Sequence, residues 1–383
     1  MTQRVLILGG YGFFGSRICA MLTRVAGVDL LIGGRDADKA AAKAKALGLP
    51  SASAIAIDAH APNFSDKLRR LAVDTVVNTA GPFQNQDYDV PRAAIAARCN
   101  YIDLADSRDY VLGISLLDDA ARAAGVTVIS GASSVPALSV AVIDEHLPQF
   151  RKLEIVRTGI ASGAKSPGLA TMRGIFSYCG KPFSRRVDGR EETTYGWLDL
   201  QRRRFPNPVG TRWLGSCNVP DLTIVPARYP TVKTATFHAG FASATGHLVV
   251  WALSCLTKAG ILRSVVPFAA PLHRISALIE PFTSDKGAMF VEMSGEGVDG
   301  VPLRRTWNLL AEKNHGPNIP CGAAVALIAK LAAGERLPAG ATPCVGLLTR
   351  EEYLAPLRHL KISESFRSGI TPRDRFPRRR TVY

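Results

Sequence analysis

Three glycines carry the clearest chemistry in this chain. They stand in the run Gly9-Gly10-Tyr11-Gly12-Phe13-Phe14-Gly15, directly after the apolar segment Val5–Leu8. A Gly-x-Gly-x-x-Gly between a buried strand and a helix is a pattern that cradles a diphosphate. Gly10 would permit the tight turn, Gly12 the close approach of backbone to the anion, and Gly15 the packing of helix on sheet. Backbone N–H groups at the helix start, aided by the helix dipole, complement the negative charge. Gly10, Tyr11, Gly12, Phe13, Phe14 and Gly15 are therefore the expected diphosphate contacts. The bland alternative is a glycine-rich turn of some other α/β fold.

The end of the second strand chooses between dinucleotides. An NAD enzyme normally places a carboxylate there for the ribose 2′-hydroxyl. Here the strand ends Leu31-Ile32-Gly33-Gly34-Arg35-Asp36. A guanidinium matches a phosphate in charge and in paired hydrogen bonds, so NADP (as NADPH) is expected over NAD, with Arg35 at the extra phosphate. The competing reading has Arg35 solvated and Asp36 on a plain ribose. Lys39 could assist. Asp58, at the end of a third strand, could reach the adenine or simply cap a turn. Asn78-Thr79-Ala80-Gly81-Pro82-Phe83 follows the fourth strand, where Asn78, Ala80 and Gly81 would lie near the nicotinamide.

Hydride transfer needs a positioned substrate and sometimes an acid. Tyr88 and Asp106 fall after the fourth and fifth strands and are the catalytic candidates. Asp103 reads as a strand-end cap, and Arg108 as a partner of Asp106 or of solvent. His238 and His247 bracket a small-residue stretch and read as structural. No metal-ligand spacing is present. Ser133 and Ser134 lack a nucleophile-elbow context, and Cys321 reads as a packed thiol.

These residues need a frame. Val5–Leu8, Asp29–Gly33, Ile55–Asp58, Thr75–Asn78, Tyr101–Leu104 and Val126–Ile129 alternate with helical segments, among them 16–24, 36–47 and 115–124. That alternation predicts a doubly wound parallel sheet. Beyond Ser139–His146, predicted as a helix, the texture changes. A strand over 153–160, a proline-rich stretch and a hairpin over 290–311 predict a second α+β unit with a mostly antiparallel sheet. Cys321–Gly334 reads as an alanine-rich helix.

Composition limits the function. The chain has 383 residues, 47% hydrophobic and 21% charged, as expected for a globular protein. Its formal charge is +15, yet seven basic residues against two acids lie within 361–383, a run read as a solvated tail. No zinc-finger spacing or aromatic-interleaved basic motif points to nucleic acid. Seven widely spaced cysteines fit a reducing cytoplasm rather than a disulfide framework. The first strand starts too early to leave room for a signal peptide. The apolar run around Leu248–Leu256 is shorter than the ~20 residues of a membrane span and reads as a buried helix, ahead of one lying on a membrane surface.

Val5–Gly15, Gly34-Arg35, Val76–Phe83 and Tyr101-Ile102-Asp103-Leu104 together resemble the NADP-binding domain of the saccharopine dehydrogenase-like family. Asn-x-Ala-Gly-Pro-Phe followed by Tyr-Ile-Asp is the specific part. The resemblance implies a Rossmann-type domain over 1–135, a substrate or dimerisation domain over 136–315, and a segment over 316–360 that returns to the first, before a basic tail over 361–383. It also implies an NADP-dependent oxidoreductase acting on a small-molecule imine, carbonyl or enoyl group, expected as a cytoplasmic homodimer. Ser130–Ala137 departs from the family's Pro-Gly pattern, so an amino-acid substrate does not carry over. A non-catalytic NADP sensor and a membrane-associated lipid-pathway reductase are the alternatives.

Overall fold

The computed structural model describes residues 2–163, 168–279 and 283–370. The first half alternates strand and helix: β1 (Gln3–Leu8), α1 (Gly15–Leu22), β2 (Val28–Gly34), α2 (Ala37–Ala46), β3 (Ala54–Ala56), α3 (Phe64–Arg70), β4 (Thr75–Asn78), α4 (Asp89–Ala96), β5 (Asn100–Asp103), α5 (Arg108–Gly113), α6 (Asp118–Ala124), β6 (Thr127–Ser130) and α7 (Ser139–His146). The second half holds β7 (Phe150–Ala161), α8 (Leu169–Ser177), β8 (Pro182–Val187), β9 (Arg190–Tyr195), β10 (Gln201–Arg204), β11 (Thr211–Ser216), α9 (Asp221–Arg228), β12 (Thr234–Gly240), α10 (Ala244–Lys258), α11 (Ala269–Ile279), β13 (Gly287–Gly297), β14 (Pro302–Ala311), α12 (Gly322–Ala332), β15 (Gly340–Pro343), α13 (Arg350–Leu354) and β16 (Ile362–Ile370).

The first sheet is parallel throughout, in the order β15-β6-β5-β4-β1-β2-β3. Side chains of a strand alternate between faces, and β1 shows the result. Val5 and Ile7 join one apolar cluster with α1, whereas Leu6 and Leu8 join another with α3 and α4. Both faces of the sheet are thus covered, which is why its strands are apolar without interruption. Local signals set the helix ends. Asp36 caps α2 by accepting the Lys39 N–H at 3.0 Å, and Gly125 closes α6 with φ of 69°.

The order reverses between β1 and β4, so a crevice opens beyond their carboxyl ends. The seventh strand comes from far along the chain: β15 pairs with β6, and α12 packs on α1 and β1.

The second sheet runs β10-β11-β12-β7-β13-β14-β16, with β8 and β9 attached through β12. Only the β7–β12 pairing in it is parallel among the described strands. One face presents Val156, Met289, Val291, Trp307 and Leu309 to the same apolar cluster as β1 and α12. A single core therefore joins the two sheets. The other face is partly roofed by Phe205 and Val209.

Two expectations need correction. Residues 362–370 are a strand rather than tail, because Ile362 and Phe366 alternate with polar residues along β14 and Glu364 binds the Trp307 indole at 2.7 Å; residues 371–383 lie outside the described residues. The apolar helix around 250 is not buried all round. His247, Val250 and Ser254 are buried, whereas Leu248, Val249 and Leu256 are about 40% exposed. Among the described residues no helix is long and apolar enough to cross a membrane.

Candidate functional site in the crevice of the first sheet

The glycine run performs its turn one residue earlier than its spacing suggests. Gly9, not Gly10, holds the positive φ, at 74°, and the N–H groups of both donate to the Gly33 carbonyl at 3.0 and 3.1 Å. Gly10 is needed for space, since a Cβ there would meet Ile32 Cγ2 at 2.9 Å. At Gly15 a Cβ would fall 2.2 Å from the Gly9 carbonyl oxygen and 2.8 Å from Thr79 Oγ1, so only glycine lets α1 seat against the β4 loop. Gly12 donates to the Gly9 carbonyl at 2.7 Å. The N–H groups of Phe13, Phe14 and Gly15 have no acceptor among the described residues, as the first turn of a helix leaves them.

Arg17, one turn into α1, was not singled out by sequence reasoning. Its guanidinium donates to the Phe13 carbonyl and lies 4.2 Å from the Phe13 ring centroid. Burial lowers its pKa and no carboxylate pairs with it among the described residues, so a cation stands beside the turn. The only sequence signal was its position two residues after Gly15.

At the end of β2, Arg35 is exposed and forms no ion pair among the described residues. Asp36 is otherwise engaged: it caps α2 and pairs with Lys39 Nζ at 2.8 Å. Hydrogen bonding to Lys39 holds its carboxyl below the usual range. The Tyr11 ring covers Gly34, where a Cβ would clash at 2.3 Å, and its hydroxyl accepts the Asp36 N–H at 3.1 Å. Asp58 is exposed and accepts the His60 N–H, a turn-capping role.

The loop after β4 is shaped by Asn78, whose Oδ1 accepts the Ala80 N–H at 3.0 Å and whose Nδ2 donates to the Tyr101 hydroxyl at 3.1 Å. Both ends of the buried amide are occupied, so Asn78 sets the loop from inside. Gln86 braces the loop by donating to the Ala80 and Pro82 carbonyls. Asp103 straps β5 to the exit of β6: Oδ1 accepts from Ala105 N, Gly131 N and Ser130 Oγ, each at 2.9 Å. Complete burial pushes its carboxyl up to about 6.

The two catalytic candidates part company here. Tyr88 packs its ring at a tilt against Tyr110 and donates its hydroxyl to the Tyr110 carbonyl at 2.9 Å, so its proton is committed to packing of the α4–α5 region. Asp106 keeps an exposed edge, accepts Gln84 Nε2 at 3.1 Å, and lies within electrostatic reach of Tyr178 and Cys217 from the other half of the chain. Desolvation by the surrounding protein holds its carboxyl above the usual carboxylate range. Arg108 does not pair with Asp106. It reaches across to Thr223 Oγ1 and the Ser184 carbonyl, both at 2.7 Å.

His238 is buried against Asp199, 3.3 Å away, and His247 packs against Trp197 and Phe241 with neither ring nitrogen hydrogen-bonded among the described residues. Burial lowers the His247 pKa to about 4. Cys321 is a buried thiol, and no group of histidines, cysteines and acids among the described residues has the makings of a metal site.

Residues 5–129 match the family described as the saccharopine dehydrogenase NADP binding domain. Residues 5–129 are thus an NADP-binding domain of the saccharopine dehydrogenase type. That segment contains the glycine turn, Arg35 and the β4 loop, and it supports an oxidoreductase. Among solved structures, the apo saccharopine dehydrogenase (L-Glu forming) of Saccharomyces cerevisiae shares the fold with a TM-score of 0.69 at 15% identity, over 95% of this chain and 100% of that one. An amine dehydrogenase of Mycobacterium smegmatis aligns with a TM-score of 0.50 at 13% identity, over 92% of this chain and 95% of the other. No curated protein matches the sequence.

Proposed function

We propose that the chain binds NADP(H) across the crevice and transfers hydride to or from a small-molecule imine, carbonyl or enoyl group. One observation carries the cofactor preference. At the end of β2 the carboxylate of Asp36 is tied to a helix cap and to Lys39, while the Arg35 guanidinium stands exposed and unpaired among the described residues. The amides of Phe13, Phe14 and Gly15 and the Arg17 cation hold the diphosphate, Arg35 holds the 2′-phosphate, and the backbone of Ala80 and Gly81 borders the nicotinamide. NADP(H), when bound, supplies or accepts the hydride. Asp106, with its pKa raised by desolvation and its position fixed by Gln84, is the group that exchanges a proton with the substrate.

Calorimetric titration with NADPH and NADH tests the assignment. One charge-assisted contact of about 1.5–3 kcal/mol corresponds to roughly 10- to 100-fold in affinity. Wild-type protein is expected to favour NADPH by that factor, and Arg35→Asp to lose the preference. Equal affinities in the wild type would overturn it.

A further inference from the structure

The face of the second sheet turned away from the first carries a concentration of arginine that the crevice chemistry does not use. Arg367, Thr306, Glu292 and Arg157 occupy directly paired positions on the adjacent strands β16, β14, β13 and β7, so they project from the same face. β10, at the far end of the strand order, curls over this face and brings Arg203 to Glu292. Glu292 is 3% exposed. Its Oε1 accepts Arg157 Nη1 at 3.2 Å, and its Oε2 accepts Arg304 Nη2 at 2.7 Å and Arg203 Nη2 at 3.3 Å.

One carboxylate thus meets three guanidinium groups. Arg202, Arg204 and Arg367 line the same cavity and form no ion pair among the described residues. The positive charge in this basin exceeds what Glu292 can neutralise. Arg203 is held in place: its guanidinium lies 3.5 Å from the Phe290 ring centroid, and burial lowers its pKa. A cation fixed by stacking keeps its remaining N–H groups in a set direction at little further entropic cost. Thr306 and the buried Asn308 add polar groups to the cavity wall. The cavity measures about 380 Å³, within the range of small-molecule sites.

We propose that this basin is a second anion site, distinct from the dinucleotide crevice, for a small molecule bearing two or more phosphate groups. Guanidinium groups pair with phosphate oxygens through parallel hydrogen bonds. A single phosphate would leave most of the excess positive charge uncompensated, whereas a diphosphate brings more negative charge and more oxygen acceptors to the arginines. Glu292 serves as the resident counter-ion that keeps the arginines folded around an otherwise repulsive centre.

Titration calorimetry of the full-length chain with inorganic pyrophosphate, at constant ionic strength, tests the site. The double variant Arg204→Gln/Arg367→Gln leaves every Glu292 ion pair in place, so its fold is not at risk from an unpaired buried carboxylate. Saturable binding by the wild type is expected, about tenfold or more weaker in the double variant, with NADPH affinity unchanged. Glu292→Gln, if it folds, is expected to bind pyrophosphate more tightly than wild type, because a competing negative charge is gone. Pyrophosphate binding that is equal in the wild type and the double variant would place the ion in the glycine turn instead and overturn the proposal. Absence of saturable binding, as when a second copy of the chain covers this face, would overturn it as well.

Discussion

At the residue scale, the informative side chains are those whose charge has been removed from water. Asp221 opens α9 at 2% exposure and forms no ion pair among the described residues. Burial pushes its carboxyl up to about 7. A carboxyl raised in the folded state favours folding while it is protonated, and that contribution fades as pH climbs from the unfolded pKa, near 4, through about 7. Asp221→Asn, isosteric and uncharged, is expected to match the wild type at pH 4. By pH 8 it should exceed it by on the order of 4 kcal/mol, measured by urea unfolding across that range. Parallel pH profiles for the two proteins would refute this. His247 acts in the opposite sense, its stabilising neutral form being lost as pH falls from about 6.5 towards 4, and the difference between variant and wild type cancels it. The same scale shows how far single residues are legible. The Asp36 cap was readable because it depends on neighbours within a few positions. How Tyr88 and Asp106 are held was not, since their partners Tyr110 and Gln84 are brought alongside only by the fold.

At the scale of elements, the alternating strands and helices of the first half, the short α5 apart, were legible to within a few residues, because each carries its own apolar period and end signals. The elements that sequence reasoning missed lack such signals. β15 is the four residues Gly-Ala-Thr-Pro, stable only against β6. β16 hides in a basic stretch, and its apolar residues make sense only beside β14. What fixes β16 is polar. Glu364 accepts the N–H of Trp307, a side chain with 0% exposure, and also pairs with Arg350 Nη1 at 2.6 Å. Glu364→Ala would leave that indole N–H buried and unsatisfied, at a cost of about 1–3 kcal/mol. Glu364→Gln retains an acceptor and should recover much of the loss. Chemical denaturation of the pair is the measurement, and equal stabilities of the two variants would show that the indole contact does not hold the strand.

At the scale of the molecule, one apolar cluster joins both sheets, and Arg108 crosses between the halves. Sequence reasoning had paired Arg108 locally because its true partner, Thr223, lies 115 positions away. The half-buried guanidinium loses solvent, which lowers its pKa, and among the described residues it recovers hydrogen bonds only from the second half. Arg108→Ala is expected to lower stability by about 1–3 kcal/mol and to speed amide hydrogen exchange around 184 and 218–223, with NADPH affinity unchanged. Unaltered exchange in those segments would mean that the apolar cluster alone fixes the two halves.

The position of β15 has a consequence for biosynthesis. A ribosome translates about 200 residues between the end of β6 and the start of its partner strand, so at ordinary elongation rates the nascent chain carries an open strand edge for roughly 10–40 seconds. Such an edge is a template for pairing with other chains. Factors that shield emerging polypeptide therefore matter more here than for a protein whose amino-terminal half closes on itself.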